Sequence, residues 1–543
     1  MRKRLFEHAG DLGSEFSEGY ASLVTPNVKP EEIPDEGVRA RVTPAALAAA
    51  AGLFALALVP RLLVVFFVTD PQNPGLGWYG DVFHHWQIAY LSKEIGFSHG
   101  FLRLWDFKGL EFFWGLLHPL ILVGLFTITG SVDIVIPRLL SAITASISLA
   151  LLFFLLKRNF NPHVALAGTI LAILNPIAVY NDGVGMQEPL GILLLFLGLT
   201  ILERQPVLTG ILWAMAGMVR AEYWVFGAGL VAVAIIGRRH SRQITPLVVG
   251  WLIPSLAYMK YMAANTGNPI YPIYWNFLAG TAGEWMADIP LNPEQVTAQL
   301  GARIVLVLAC LAAWWLVTRR PKSLLLLSFG LGNIIMLGIV LGLGEYVRGY
   351  VSRVLIDRLL VVPYMYLGIF LAVGVLHALP RVAYPRISRV IGWSVIGLVL
   401  ILSQLAWQPI LNTYRPLNEI WVQEKELGQQ LASYYEGGTI LIPEDRQGLT
   451  YALVRYHGLL AGSLEGQMYD PFSYMSGDPF TDWTKNRTVV KDWLVSHDIR
   501  LILFYDGKST YERMIQLEPG WFDYQATVHR GTLDIYRVTV SDS

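Results

Sequence analysis

The sequence predicts an α-helical polytopic membrane protein with about eleven transmembrane helices and accompanying juxtamembrane helices, followed by a soluble carboxyl-terminal α/β domain. Composition is the first reason. Of 543 residues, 54% are hydrophobic and only 15% charged, and the mean hydropathy is +0.46, far too apolar for a soluble globular chain of this length. The second is a succession of apolar runs, each long enough or nearly long enough to cross a bilayer. The third is a return to ordinary charge density from Leu411 onward. The 41 basic and 41 acidic residues cancel, which gives no reason to expect a nucleic-acid partner. The single cysteine, Cys310, lies in an apolar run and excludes an intramolecular disulfide.

Residues 1–43 are polar, are interrupted by Pro26, Pro30 and Pro34, and carry Glu31, Glu32, Asp35 and Glu36; they read as a flexible cytoplasmic tail. The first apolar run begins near Pro44 and is long enough to stay in the membrane, so no cleavable signal is expected. Crossings are predicted near 44–69, 134–156, 163–180, 187–202, 206–219, 222–237, 244–262, 302–318, 323–343, 355–378 and 389–408, within a transmembrane domain of 44–410. The run 112–129 is ambiguous, and charge decides it. If it does not cross, the cytoplasmic loops hold the basic clusters Lys157-Arg158, Arg204, Arg238 to Arg242, Arg319 to Lys322 and Arg381 to Arg389. The later loops on the opposite side then hold only Arg220, Arg348 and Arg353. We therefore read 112–129 as juxtamembrane. The amino terminus is then cytoplasmic in a multi-pass plasma-membrane protein, and the 70–132 loop and the carboxyl-terminal domain, 411–543, are extracytoplasmic. The segment 206–237 is split at Arg220-Ala221-Glu222, because a single crossing there would move the Arg238 cluster outside.

In the last domain, Thr439 to Pro443 and Arg500 to Tyr505 read as strands, and Leu449 to His457 and Val489 to His497 as helices. Gln525 to His529 and Thr532 to Val538 flank Arg530-Gly531 as a hairpin.

Three positions on the outer side carry chemistry. Asp81 sits among aromatics and two histidines in Gly77-Trp78-Tyr79-Gly80-Asp81-Val82-Phe83-His84-His85-Trp86, where a carboxylate is costly unless it meets something polar. It is either a reactive group or the N-cap of the helix starting near Val82. Glu188, before Pro189, either acts in the site or supplies favourable charge at a helix start. Asp182-Gly183 looks like a turn. His118, with Glu111 upstream, lies on an apolar helix where a lone histidine is more often interfacial. Of His84 and His85, which point apart by about 100 degrees, at most one shares the pocket of Asp81.

Arginines at the crossings need anionic partners. Arg61 lies in the first, Arg138 opens the second, Arg220 ends the fifth, and Arg348, Arg353 and Arg358 gather around the tenth. Internal pairs, such as Arg220 with Glu222 or Arg358 with Asp357, account for any one; a lipid phosphate accounts for the set. No HExxH, CxxC or phosphate-binding glycine loop occurs, so nucleotide chemistry has no support.

From Arg61 to Trp224 the order of features resembles the GT-C superfamily of integral-membrane glycosyltransferases, which includes protein O-mannosyltransferases, aminoarabinose transferases and oligosaccharyltransferase catalytic subunits. The resemblance rests on Gly80-Asp81 before an aromatic amphipathic helix, His118-Pro119-Leu120, Pro137-Arg138-Leu139-Leu140-Ser141, Lys157-Arg158-Asn159-Phe160, Leu174-Asn175-Pro176 with Tyr180, Glu188, and Val219-Arg220-Ala221-Glu222. It implies that Asp81 is the catalytic carboxylate. Glu188 then positions the acceptor or a divalent cation such as Mg or Mn, and His118 contacts metal or phosphate. Many members carry two prolines after this histidine, where this chain has Pro119-Leu120. The Trp-Trp-Asp-Tyr-Gly motif of oligosaccharyltransferases is absent.

The function expected is inverting transfer of one sugar from a polyprenyl- or dolichyl-phosphate donor to an extracytoplasmic glycan, lipid or protein, in contact with membrane lipids. Asp81 and Glu188 form the reactive pair; Arg61, Arg220, Arg348, Arg353 and Arg358 bind the donor phosphate, and His84, His85, His118 and Glu111 position the substrate or a metal. A flippase for lipid-linked sugars is the alternative.

Overall fold

The computed structural model describes residues 44–68, 80–94, 115–236, 241–274, 294, 297, 301, 325–335, 358–382, 385–414, 416–442, 447–458, 464–466, 483–505, 515–528 and 533–540. Contacts divide the chain into Met1–Ala49 and Ala50–Ser543. The first unit is described only from Pro44, so the expected tail 1–43 lies outside the described residues, as do Glu111, Arg348, Arg353 and the expected crossing 302–318.

Helix α1, Pro44–Leu63, runs on through a π-helical turn, Val64–Val68. Helix α2, Gly80–Glu94, carries Asp81, and α3 covers Leu117–Thr129. The long α4, Val135–Asn159, is buried along much of its length. Three of its hydroxyls do not raise the cost of that burial, because Thr144, Ser146 and Ser148 donate back to carbonyls four residues earlier at 2.7–2.8 Å.

The expected crossing 163–180 is broken in two, α5 at Pro162–Ile173 and α6 at Pro176–Val184, bent by 56°. The cause is local. Asn161 and Asn175 each cap the helix that follows, and a proline takes the next position, where no backbone N–H is needed. Helices α7, Glu188–Ile201, α8, Pro206–Gly217, and α9, Ala221–Ile236, come next, then the long α10, Ser241–Thr266. The break between α8 and α9 falls at 218–220, beside the expected Arg220-Ala221-Glu222 split. Helix α11 is Leu325–Ile335. A 3₁₀ turn, Arg358–Leu360, leads into α12, Val361–Val373; α13, Pro385–Gln404, follows.

Among the described residues five helices are long and apolar enough to cross a membrane, with a sixth if the bent α5–α6 pair is one span. The segments at 187–202, 206–219 and 222–237 fold as shorter apolar helices, and 302–318 and part of 323–343 lie outside the described residues. The 14 residues of α7 reach about 21 Å, against a hydrocarbon core of roughly 30 Å.

Helices α14, Trp407–Tyr414, and α15, Pro416–Tyr434, lead into the carboxyl-terminal sheet. Its strands are β1, Thr439–Ile442, β2, Leu464–Gly466, β3, Ile499–Tyr505, β4, Phe522–Val528, and β5, Leu533–Val538, in the order β2-β1-β3-β5-β4. Strand β1 pairs in parallel with β2 and β3, while β5 is antiparallel to β3 and β4. The hairpin expected around Arg530-Gly531 is the β4–β5 pair. Helices α16, Gln447–His457, and α17, Trp483–Ser496, complete this part. Strand β2, three residues long, has no counterpart in the sequence prediction.

One core joins helices of the membrane part, α4, α5, α7 and α12 among them. A second joins α2 and α3 to the carboxyl-terminal sheet, with Val82 and Trp86 sharing a cluster with Leu431, Ile440, Leu501 and Ile535. Helices α8 and α10 meet backbone to backbone through glycine. A Cβ on Gly250 would lie 2.2 Å from the Val207 carbonyl oxygen, and one on Gly210 2.3 Å from that of Leu247. Gly250→Val therefore lowers the thermal stability of the detergent-solubilised protein by about 1–3 kcal/mol. Gly229→Ala, whose Cβ meets nothing within 4 Å, leaves the melting temperature unchanged.

Candidate active site

The site is built where α2, the start of α7, the α8–α9 break and the start of α12 converge. Asp81 is not the expected N-cap. Helix α2 already begins at Gly80, which places Asp81 in the first turn, where negative charge suits the helix dipole. Its Oδ2 accepts from Arg358 Nη2 at 2.5 Å. Arg358 opens the 3₁₀ turn before α12, and its Nε lies 3.8 Å from Glu188 Oε1. The same oxygen accepts from Arg220 Nη1. Arg220 in turn grips Glu222 with two donors, Nε to Oε2 at 3.0 Å and Nη2 to Oε1 at 2.8 Å. Charges thus alternate along Asp81, Arg358, Glu188, Arg220 and Glu222, three carboxylates against two guanidiniums.

Exposure separates the members. The side chains of Glu188, Arg220 and Arg358 are 8–10% exposed, whereas Asp81 at 18% and Glu222 at 21% form accessible ends. Glu188 stands at the first position of α7 with Pro189 second, as expected from a charge at a helix start. It does more than serve the dipole: it sits between two arginines, its carbonyl accepts from Tyr223 Oη at 3.0 Å, and its Oε2 has no hydrogen-bond partner among the described residues.

Histidines flank this chain. The His85 and His118 rings meet edge to face, centroids 4.9 Å apart, and neither His118 nitrogen has a hydrogen-bond partner among the described residues. His85 lies on α2, the helix that carries Asp81. Burial, partly offset by Asp81, pulls His84 down to about 4, and burial together with His118 pulls His85 well below its ordinary value. Both rings are neutral at pH 7. For Asp81, burial acts to raise the carboxyl, but the Arg358 guanidinium outweighs it, with smaller help from the histidines, and holds it at about 2.

Arg61 joins a different pair. Its Nε donates to Asp182 Oδ2 at 2.8 Å and its Nη1 to the Ala57 carbonyl at 2.8 Å, all of it buried. Asp182 is therefore no turn residue: it lies inside α6, and an apolar crossing that carries an arginine was the signal for it. The turn that does occur is at Gly185, whose φ of +98° brings the backbone against Arg138; a Cβ there would lie 3.1 Å from Arg138 Cγ. Met186 then places its sulfur 3.8 Å from Arg358 Nη1. Of the predicted site residues, Asp81, Arg358, Glu188 and Arg220 join one chain of ion pairs, while His84 and His85 share α2 with Asp81 and His118 meets the His85 ring. Arg61 pairs with Asp182, and Arg348, Arg353 and Glu111 lie outside the described residues. Glu222 and Asp182 were not predicted as site residues. Asp357, the partner considered for Arg358, also lies outside the described residues.

No family model and no curated protein matches the sequence. Among solved structures, the chain is similar to ArnT from Cupriavidus metallidurans bound to undecaprenyl phosphate, with 11% identity over 91% of this chain and 97% of that one and a TM-score of 0.48. It is also similar to the archaeal oligosaccharyltransferase AglB from Archaeoglobus fulgidus in complex with an inhibitory peptide and a dolichol-phosphate, with 12% identity, 90% and 74% coverage and a TM-score of 0.47. At such identities and scores these likenesses carry no chemistry.

The expected divalent cation does not fit this arrangement. Among the described residues no three His, Cys, Asp or Glu side chains are grouped to hold one. Asp81 and Glu188 are already neutralised by Arg358 and Arg220, whose charges would repel a cation between them.

Because folding holds His84 and His85 neutral, protonating them opposes folding. Their contribution is complete above the ordinary histidine value of 6.5 and is lost as pH falls toward 4. The melting temperature of the solubilised protein accordingly falls between pH 7 and pH 4, and falls less for His84→Gln. Arg61→Met strands the buried Asp182 charge and costs about 3–5 kcal/mol in thermal unfolding, which the double variant Arg61→Met/Asp182→Leu largely restores.

Proposed function

We propose that the chain is a membrane glycosyltransferase that moves one sugar from a polyprenyl- or dolichyl-phosphate donor to a hydroxyl of an extracytoplasmic acceptor, with inversion at the anomeric carbon. The observation that carries this is the buried alternation of carboxylates and guanidiniums ending in the accessible Asp81. A guanidinium suits phosphate by its fork of donors, and a carboxylate suits a hydroxyl proton.

In the reaction, the acceptor oxygen bonds to the anomeric carbon from the face opposite the phosphate. The bond from that carbon to the phosphate oxygen breaks, and its electron pair leaves with the lipid phosphate. Asp81 takes the hydroxyl proton. A carboxylate held at about 2 is a weak base for a free alcohol, so the transfer comes late, when the oxygen is already bonding and its proton has become acidic. Arg358 links the two events. As negative charge grows on the departing phosphate, the guanidinium shared by Asp81 and Glu188 is drawn to it, and Asp81 gains basicity as it loses that contact. The Arg220–Glu222 fork keeps Arg220 fixed and oriented toward Glu188. No step passes through a metal.

The test uses purified protein in detergent with a radiolabelled polyprenyl-phosphate sugar and a mixture of sugar acceptors, following release of lipid phosphate. Wild type releases it; Asp81→Asn, folded to the same melting temperature within a few degrees, loses about 10²–10⁴ of the rate. Undiminished release by Asp81→Asn removes Asp81 as base. Movement of the intact donor across liposomes without release makes the protein a flippase.

A further inference from the structure

The helix that carries Asp81 does not stand alone. Helix α16, beside the carboxyl-terminal sheet and more than 360 residues later in the chain, lies against α2 and closes on it by two kinds of contact. Thr450 Oγ1 accepts from Gln87 Nε2 at 2.7 Å, and both residues are buried. The Tyr451 ring meets Phe83 and Trp86 edge to face, at centroid distances of 5.6 and 4.9 Å. Tyr451 Oη then accepts from the backbone N–H of Ile134 at 3.2 Å, immediately before α4. Trp86 fixes the same junction from the other side, donating from Nε1 to the Val132 carbonyl at 2.6 Å, and Arg455 reaches Asp133 at 3.4 Å.

These contacts fall on a specific part of α2. Phe83, Trp86 and Gln87 lie two, five and six residues after Asp81, within its first two turns. Among the described residues, the Asp81 carboxylate is held by an ion pair to Arg358. A hydroxyl accepting a buried amide and a tyrosine wedged between two aromatic rings set the rotation and axial position of the helix, and so where the Asp81 carboxylate lies relative to Arg358 and Glu188.

We infer that Thr450 and Tyr451 are positioning residues, through which the carboxyl-terminal sheet aligns the Asp81 helix for the reaction proposed above. The inference about alignment rests on contacts alone; its consequence for rate rests on the glycosyltransferase reading.

Two measurements on the full-length protein separate the two. Hydrogen–deuterium exchange reads α2 directly. Thr450→Val takes the acceptor from Gln87 Nε2, and Tyr451→Ala removes the wedge. Either raises exchange across residues 82–94 about tenfold while α7 and α12 stay protected. The Gln87→Leu/Thr450→Val pair, which removes both polar partners, restores protection in α2, and Tyr451→Phe, which keeps the ring, retains most of it. In the lipid-phosphate release assay, Tyr451→Ala lowers kcat about a hundredfold with KM within about twofold of wild type, the loss expected when a reacting group is displaced by an ångström. Unchanged α2 exchange in Thr450→Val and in Tyr451→Ala overturns the positioning role whatever the activity. So does loosened α2 with kcat unaltered in an active enzyme. Altered exchange with no release from wild type supports the alignment and overturns the glycosyltransferase reading instead. Should Tyr451→Ala not fold, Thr450→Val and its rescue pair decide.

Discussion

A guanidinium lodged between two carboxylates constrains everything around it. Arg358 lies 2.5 Å from Asp81 and 3.8 Å from Glu188, and burial makes each of these charges expensive without the others. Three segments far apart in sequence must therefore arrive together: the first turn of α2, the first residue of α7 and the turn that opens α12. The Arg220–Glu222 fork closes the far end, and the break between α8 and α9 exists where that arginine is needed. Because Asp81 is the accessible end next to Arg358, the arrangement holds a reachable carboxylate beside a cation suited to phosphate. That is the combination a lipid-phosphate sugar requires.

The membrane part and the carboxyl-terminal sheet are not independent supports of this site. The sheet shares a core with α2 and α3, so the helix carrying Asp81 is packed against both α3 and α16. Such packing sets the axial position of α2 more tightly than one ion pair could. Within the membrane part, broken helices recur where charge must be placed. The α5–α6 bend puts Asp182 within 2.8 Å of Arg61, and the left-handed Gly185 turns the chain past Arg138 toward Met186 and Glu188.

Much of this was legible beforehand, and the exceptions have causes. An isolated carboxylate among aromatics marked Asp81, and arginines at the ends of apolar runs marked Arg220 and Arg358, since lipid leaves such groups no partner but each other. The residues that pair them were harder to see. Asn181-Asp182-Gly183 has the composition of a turn, yet Asn175 caps a helix that runs through it and Arg61, 121 residues away, pays for the buried charge. Length was harder to read: 187–237 is strongly apolar throughout, and its helices run for 12–16 residues each. Likewise, β2 has only three residues and no pattern to read, while β3 and the β4–β5 hairpin, with six or seven residues each, stood out.

The account depends on Arg358 and Asp81 acting as one unit, and a double-mutant cycle measures that directly. Thermal unfolding of solubilised wild type, Asp81→Asn, Arg358→Gln and the double variant gives their coupling free energy. If the pair organises the site, the double variant is less destabilised than the sum of the single ones by about 1–3 kcal/mol. Additivity within about 0.5 kcal/mol would contradict it.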